Sequence, residues 1–333
     1  MSEEMERALR SERKEQRKKA AKRRKQVSLL LLLCAFIAGG LFLWERRKAA
    51  AKEPLPPAAG ETSVTVLNVG QGLAVLIRSQ GETMLVDGGS PDASSRTAAY
   101  LKNQGITELK YLAVTHYDAD HMGGAIAALA VCRTENVLAP DYEKEGRLYE
   151  SFIRRIEEEG IPLIHPETGE SYTLGSCRFT VMGPCSSRYE EENDRSLVIR
   201  LTDGSHSLMI TGDAEALSEQ DMVFRYAGTG LLKSDVLVLG HHGSSSSTSG
   251  LFLTAVRPEA AILSCGADNE YGHPHREVMD RLRTRHIPLC RTDTQGDICL
   301  SFTPEGIVWQ TGPGNDYHTG HFPEKENTAD TAA

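Results

Sequence analysis

A chain of 333 residues, 40% of them hydrophobic, holds enough apolar material for one large core or two modest ones. Its net charge of −9 is unevenly spread: residues 1–53 carry 15 Lys+Arg against 7 Asp+Glu, and residues 54–333 carry 22 against 39. So acidic a globular part disfavours non-specific nucleic-acid binding, which depends on phosphate neutralisation by lysine and arginine, and seven cysteines without a CxxC pair argue against a structural zinc knuckle.

Residues 1–26 hold eleven basic and five acidic side chains and read as a charged tail. Val27 to Trp44 is an uncharged apolar run of 18 residues, long enough to span a bilayer. Trp44 suits an interface, and the excess of positive charge before the run predicts a cytoplasmic N-terminus with the remainder outside. The small residues a signal peptidase needs follow only after the charged cluster Glu45-Arg46-Arg47-Lys48, so the run reads as a retained single-pass anchor. The basic tail is also placed to touch anionic lipid. Residues 45–62, with Pro54, Pro56 and Pro57, form a linker.

A folded domain is expected over 63–311. Its first strands run from Ser63 to Val69, Leu73 to Arg78 and Glu82 to Val86, the last ending in Asp87-Gly88-Gly89. Gly70-Gln71-Gly72 lies between two strands and not ahead of a helix, so no nucleotide-binding fingerprint is present. A helix is predicted over Ser94 to Asn103, then a strand over Lys110 to Val114. After it comes a loop bearing His116, Asp118, Asp120 and His121, ahead of a buried helix at Ala125 to Ala130. A short strand at Glu135 to Leu138, an amphipathic helix at Tyr149 to Glu159 and hairpin strands within Tyr172 to Met182 follow. Asn193 to Ser196 leads into Leu197 to Leu201, and Leu208 to Ile210 ends in Thr211-Gly212-Asp213. Asp235 to Leu239 ends in Gly240-His241-His242-Gly243, and Ala260 to Ser264 precedes Tyr271-Gly272-His273-Pro274 and a helix over Arg276 to Thr284. Two final strands flank Thr294-Gln295-Gly296 as a hairpin that would bring Cys290 near Cys299. Cys177 and Cys185 are a second possible pair, and free buried thiols are the expected state. Residues 312–333 are polar and read as disordered.

Strands then helices, twice over, predict two sheets sandwiched between helical layers. Six of eleven histidines fall in three loops directly after apolar strands. Imidazole nitrogen with carboxylate oxygen suits zinc, manganese or iron, and zinc or manganese is the expected pair of ions. His116, Asp118, Asp120, His121, Asp213 and one or both of His241 and His242 can divide between two divalent ions, with Asp213 bridging; such sites do hydrolysis. Because adjacent side chains point apart, only one of His241 and His242 is expected to bind. Asp87 is placed to orient a ligand histidine, Asn193 and Ser196 to contact substrate, and Asp120 and His273 to take part in the chemistry.

The motif His116-x-Asp118-x-Asp120-His121 resembles that of the metallo-β-lactamase superfamily. Val69-Gly70-Gln71-Gly72, Val86-Asp87-Gly88-Gly89, Ser196-Leu197-Val198, Thr211-Gly212-Asp213, Gly240-His241-His242-Gly243-Ser244, Tyr271-Gly272-His273-Pro274 and Thr292-Asp293 with Gly296 resemble, in that order, the extracellular domain of ComEC-type competence proteins. The resemblance implies an αββα sandwich with a dinuclear metal site at its edge, here preceded by one transmembrane helix, and a role in degrading a DNA strand. With one apolar span, this chain is expected to lack the DNA channel. Asn68 and Leu73 stand where that branch has acidic residues. Asp118 replaces the superfamily's common second histidine, which hardens the site towards manganese or an asymmetric zinc pair. The expected function is a membrane-anchored, extracytoplasmic hydrolase of phosphodiesters, DNA among them. A hydrolase of a small ester, lactone or cell-wall-related substrate, and a non-catalytic metal-stabilised binding protein, are the alternatives.

Overall fold

The computed structural model describes residues 62–320. The basic tail, the expected anchor at 27–44 and all of the linker but Thr62 lie outside them, and no helix among the described residues is long and apolar enough to cross a membrane.

The first half of the domain is built from β1 (Thr62–Val66), β2 (Val75–Ser79), β3 (Glu82–Val86), α1 (Ser94–Asn103), β4 (Glu108–Ala113), α2 (Ala119–Val131), β5 (Arg133–Leu138), α3 (Arg147–Glu159) and β6 (Leu163–Ile164). The second half is β7 (Ser171–Leu174), β8 (Cys177–Gly183), β9 (Val198–Asp203), β10 (His206–Ile210), α4 (Ala216–Arg225), β11 (Val236–Val238), α5 (Gly250–Val256), β12 (Ala260–Leu263), α6 (Arg276–Thr284), β13 (Leu289–Arg291) and the single turn α7 (Thr292–Gln295). β14 (Ile298–Thr303) and β15 (Gly306–Trp309) return to the first sheet beside β1.

The two halves follow one plan. In each sheet an antiparallel meander (β1–β3, β7–β10) gives way to parallel strands joined by helices (β4–β6, β11–β13). Parallel strands end on the same edge, so the loops after β3, β4, β10, β11 and β12 gather there, where α/β sheets place their ligands. Between the sheets lies a dry layer in which Val64, Ile77, Met84 and Phe302 meet Phe179, Ile199, Leu208 and Val236. On the outer faces, α2 and α3 bury Met122, Ala125, Phe152 and Ile156 against one sheet, and α4 to α6 bury Met222, Phe252, Val278 and Leu282 against the other. Phe152 and Ile156 are four apart, the spacing that places both on one face of an otherwise charged helix. The αββα order expected of the sequence is the order found.

Three expectations are corrected. The helix after β4 begins at Ala119, six residues earlier than its apolar run suggests, so Asp120 and His121 stand in its first turn and Asp118 is its N-cap. The strands around Thr294-Gln295-Gly296 are not a hairpin: β13 belongs to one sheet and β14 to the other, which separates Cys290 from Cys299. All six described cysteines are free. Residues 312–320 are not loose, because Gly314 pairs with Leu289 and Tyr317 packs into the outer core, its hydroxyl donating to Ile287 O at 2.8 Å.

Candidate metal centre

The early start of α2 is enforced by a close backbone approach. A Cβ on Gly124 would lie 1.8 Å from Gly88 O, and one on Gly88 would lie 2.1 Å from Ala125 N. Without those atoms the turn after β3 lies flat on the helix, with Gly88 N donating to His121 O and Gly124 N to Gly89 O, both at 2.8 Å. Asp87, at φ +57°, is turned beneath the histidines by this arrangement. Its carboxylate accepts Thr115 N–H at 2.7 Å and Thr115 Oγ1–H at 2.7 Å, and its Oδ2 lies 2.8 Å from His121 Nδ1.

That contact fixes a tautomer. A carboxylate accepts only, so Nδ1 of His121 carries the proton and donates. Likewise Ser264 O, 3.0 Å from His242 Nδ1, can only accept. Thr115 Oγ1, whose proton is committed to Asp87, lies 3.1 Å from His116 Nδ1 and accepts from it. Each of the three rings therefore turns its Nε2 towards the same point, the nitrogen that carries the lone pair when the ring is neutral. His121 Nε2 is 3.1 Å from His242 Nε2 and 3.1 Å from Asp213 Oδ1. His116 Nε2 is 3.8 Å and His242 Nε2 is 3.5 Å from Asp213 Oδ2, and Asp120 Oδ2 is 3.2 Å from His242 Nε2.

These spacings match donors sharing an ion. Two ligands about 2.1 Å from one tetrahedral ion stand about 3.4 Å apart. Among the described residues two sets of three have their ligand atoms within 4.8 Å of one another, His116 with His121 and Asp213, and Asp120 with His121 and His242. His116 Nε2 is fully buried without a hydrogen-bond partner, and so is Asp213 Oδ1, whose nearest charged neighbour is His121 Nε2 at 3.1 Å. An orphaned buried acceptor is costly unless something outside the protein's own hydrogen bonds completes it. Charge points the same way. Burial opposes ionisation of Asp213, yet His121, His242 and His116 hold its pKa well below the carboxylate range. Burial likewise opposes charge on His121, and Asp213 and Asp87 raise its pKa well above the imidazole range. The cluster is one that demands positive charge, and divalent ions fit it.

Of the adjacent pair His241 and His242, only His242 falls in either set of three. They occupy a tight turn with φ of +49° and +53°, so the alternation of an extended chain does not apply, and both Nε2 atoms come within 4 Å of Asp213 Oδ2 (3.8 and 3.5 Å). His241 sits at the rim, its Nδ1 3.1 Å from Glu215 Oε1 and 3.2 Å from Ser246 Oγ. Asp118, the other rim residue, has Oδ2 3.5 Å from His116 Nε2, while Lys144 bridges its second oxygen to Glu192.

Ser196 does not open to the cleft beside Asp120. It is fully buried, and its Oγ accepts the backbone N–H of Asp213 at 3.1 Å, holding that loop. Asn193 donates to Glu215 at 3.3 Å on the same rim. His273 follows a buttress from Asn269, whose Oδ1 accepts its N–H at 3.0 Å. Burial, followed by His242, His275 and His241, lowers the His273 pKa to about 3, so the ring is neutral at ordinary pH. Gln71 Oε1 accepts Gly266 N–H, which turns its amide nitrogen to His273 Nδ1 at 3.3 Å. Nδ1 accepts, and the proton of His273 is on Nε2. Beside Asp120 opens a cleft of about 660 Å³ bounded by Gln71, Ser90, Asp92, Arg96, Glu270 and Tyr271. Leu73 is core, and Asn68 Oδ1 accepts Gly70 N–H within its own turn, so neither acts as a ligand. Thr115, Gln71, Lys144, Glu192 and Glu215 were not foreseen. None lies in a ligand-like spacing, and each reaches the centre only through the fold.

Residues 67–267 match the family model described as the metallo-beta-lactamase superfamily. Competence protein ComA of Neisseria gonorrhoeae is 35% identical over 251 residues, 75% of this chain and 34% of that protein. Recombination protein 2 of Haemophilus influenzae is 35% identical over 252 residues, 74% of this chain and 30% of that protein. The chain thus spans about a third of the length of these relatives. Among solved structures, the metallo-beta-lactamase fold protein YhfI from Bacillus subtilis is similar with a TM-score of 0.47 and 16% identity, over 71% of this chain and 98% of that one. With more than half of its length matched by one family, from the turn before Gly70 to the strand end beyond Ser264, this chain belongs to the metallo-β-lactamase superfamily.

Proposed function

We propose that the domain is a metal-dependent hydrolase of phosphodiesters, held outside the cytoplasm by a membrane anchor over residues 27–44. The observation that carries the hydrolase is the convergence of three imidazole Nε2 atoms on the buried carboxylate of Asp213, with Asp120 beside them. In this reading His116, Asp118, Asp213 and His241 hold one ion, and Asp120, His121, His242 and Asp213 the other. Zinc or manganese, when bound, lowers the pKa of water and polarises a phosphoryl oxygen. Asp87, Thr115 and Ser264 keep the three imidazoles in one tautomer and orientation. Asp120, exposed to the cleft as well as to the centre, holds a proton acceptor at the cleft floor. His273 offers an uncharged Nε2–H to a developing oxyanion, held there by Gln71 and Asn269.

The anchor rests on the apolar run and the charge bias around it, and the phosphodiester on the kinship with competence and recombination proteins. The acidic cleft wall of Asp92 and Glu270 favours a second reading, a small uncharged ester or lactone. Cleavage of labelled single strands, duplexes, bis-p-nitrophenyl phosphate and a panel of esters in Mn²⁺ or Zn²⁺ separates the two. Phosphodiester cleavage abolished by Asp120→Ala is expected, and ester cleavage alone would replace the first reading by the second.

A further inference from the structure

Lys144 is a lysine built into the rim of the centre. Its loop, between β5 and α3, is tied to the residue next to His116. Tyr117 Oη donates to Pro140 O at 2.8 Å, Tyr117 N donates to Tyr142 Oη at 3.2 Å, and the two rings pack edge to face 4.8 Å apart. Arg195 lies over the other side of Tyr142, 5.1 Å from its centroid. From this braced loop Lys144 Nζ reaches two carboxylates, Asp118 from the first half of the domain and Glu192 from the second. Among the described residues no lysine or arginine ion pair reaches Asp120 or Asp213, so the positive charge falls on one side of the centre alone.

A fixed cation bonded to a ligand carboxylate repels a divalent ion at that carboxylate and competes for its lone pairs. Glu192 gives the ammonium somewhere to remain when Asp118 turns towards an ion. We propose that Lys144 is a positioning residue that engages Asp118 and weakens the His116–Asp118 side of the centre, so that the two ions load unequally, with the Asp120–His121–His242 side filling first. This rests on the reading of the cluster as a two-ion centre.

The test is Mn²⁺ titration of the full chain in detergent, with bound ion counted by equilibrium dialysis and spin coupling followed by electron paramagnetic resonance. The second ion should enter the native protein at a concentration roughly tenfold or more above the first. Lys144→Met should close that gap and bring the spin-coupled signal to lower Mn²⁺. Glu192→Gln should widen it, because Lys144 is left with Asp118 alone, and Lys144→Arg should behave as native. A merely structural lysine would not give opposite shifts from its own loss and from the loss of the Glu192 charge. Equal loading of the second ion in the native, Lys144→Met and Glu192→Gln proteins overturns the proposal and leaves the two-ion centre standing. Failure of every variant and of the native protein to take up Mn²⁺ overturns both.

Discussion

Asp87 Oδ2 lies 2.8 Å from His121 Nδ1, and both side chains are fully buried. The same carboxylate accepts two hydrogen bonds from Thr115, so one residue at the end of β3 sets the ring at the start of α2 and the backbone leaving β4. Replacing it separates two effects. Asp87→Asn keeps an acceptor for Thr115 but no longer fixes His121 by charge, and should lower metal affinity by about 10- to 100-fold. Asp87→Ala also strands the buried Thr115 N–H and should cost a further ~1–3 kcal/mol of stability. Competition with a chromophoric chelator reads the first, and urea unfolding of the stripped proteins reads the second.

Metal removal should destabilise the fold. The converging donors exist only when β4, β10 and β11 are in place, so an ion binds the native chain and not the unfolded one. Free ion at 100 times its dissociation constant would add about 2.7 kcal/mol. Thermal melting with and without chelator measures this. A melting temperature indifferent to chelation and to added Mn²⁺ or Zn²⁺ would leave the cluster as a polar network only.

How much of this was legible follows from the physics of each signal. The sandwich and nearly every strand could be read because apolar runs alternate with polar loop motifs, and parallel strands must send those motifs to one edge. The histidine cluster was legible because six of eleven histidines fall in three such loops. The start of α2 was not, because Asp118 to Gly124 looks like a loop until Gly88 is known to lie against Gly124. Nor were Lys144 and Glu192 in the sequence pattern; they are 48 positions apart and pair only once the chain is folded. Ser196 was misread for a related reason: its sequence position shows proximity to the site, and only burial shows that it faces Asp213 N–H and not the cleft.

Gly124→Ala should be severely destabilising. The added methyl carbon would sit 1.8 Å from Gly88 O, an atom of backbone that has no alternative rotamer. Overpacking by a flexible neighbour costs ~1–3 kcal/mol, and this contact belongs at or above the top of that range. The prediction specifies more than a loss of stability. Because Gly88 and His121 share a hydrogen bond, the same substitution should weaken metal binding in whatever folded protein remains. Gly105→Ala, at a turn with open space around it, is the comparison for backbone strain alone, since its φ is +67°.

Tyr317→Phe should cost roughly 0.5–1.5 kcal/mol, the usual net value of a buried hydrogen bond, here the one to Ile287 O. Tyr317→Ala should cost ~3–5 kcal/mol if the ring behaves as an aromatic in a packed core. Equal urea midpoints for native and Tyr317→Ala proteins would show that residues 312–320 do not contribute to the fold.

In the proposed hydrolase, His273 acts separately from metal binding. Burial and three neighbouring histidines hold it neutral, with a pKa near 3, and Gln71 and Asn269 hold it in place. A group that is already neutral throughout pH 5–9 cannot contribute an ionisation to the rate profile there, so its removal should lower the profile without changing its shape. His273→Ala should reduce kcat by about 10²- to 10³-fold, the range for a single oxyanion donor, with metal content unchanged. His273→Gln keeps an N–H donor on a flexible stem and should recover part of the rate. If His273→Ala instead lost bound metal in proportion to activity, His273 would be a ligand, and the donor role assigned to its Nε2–H would fall.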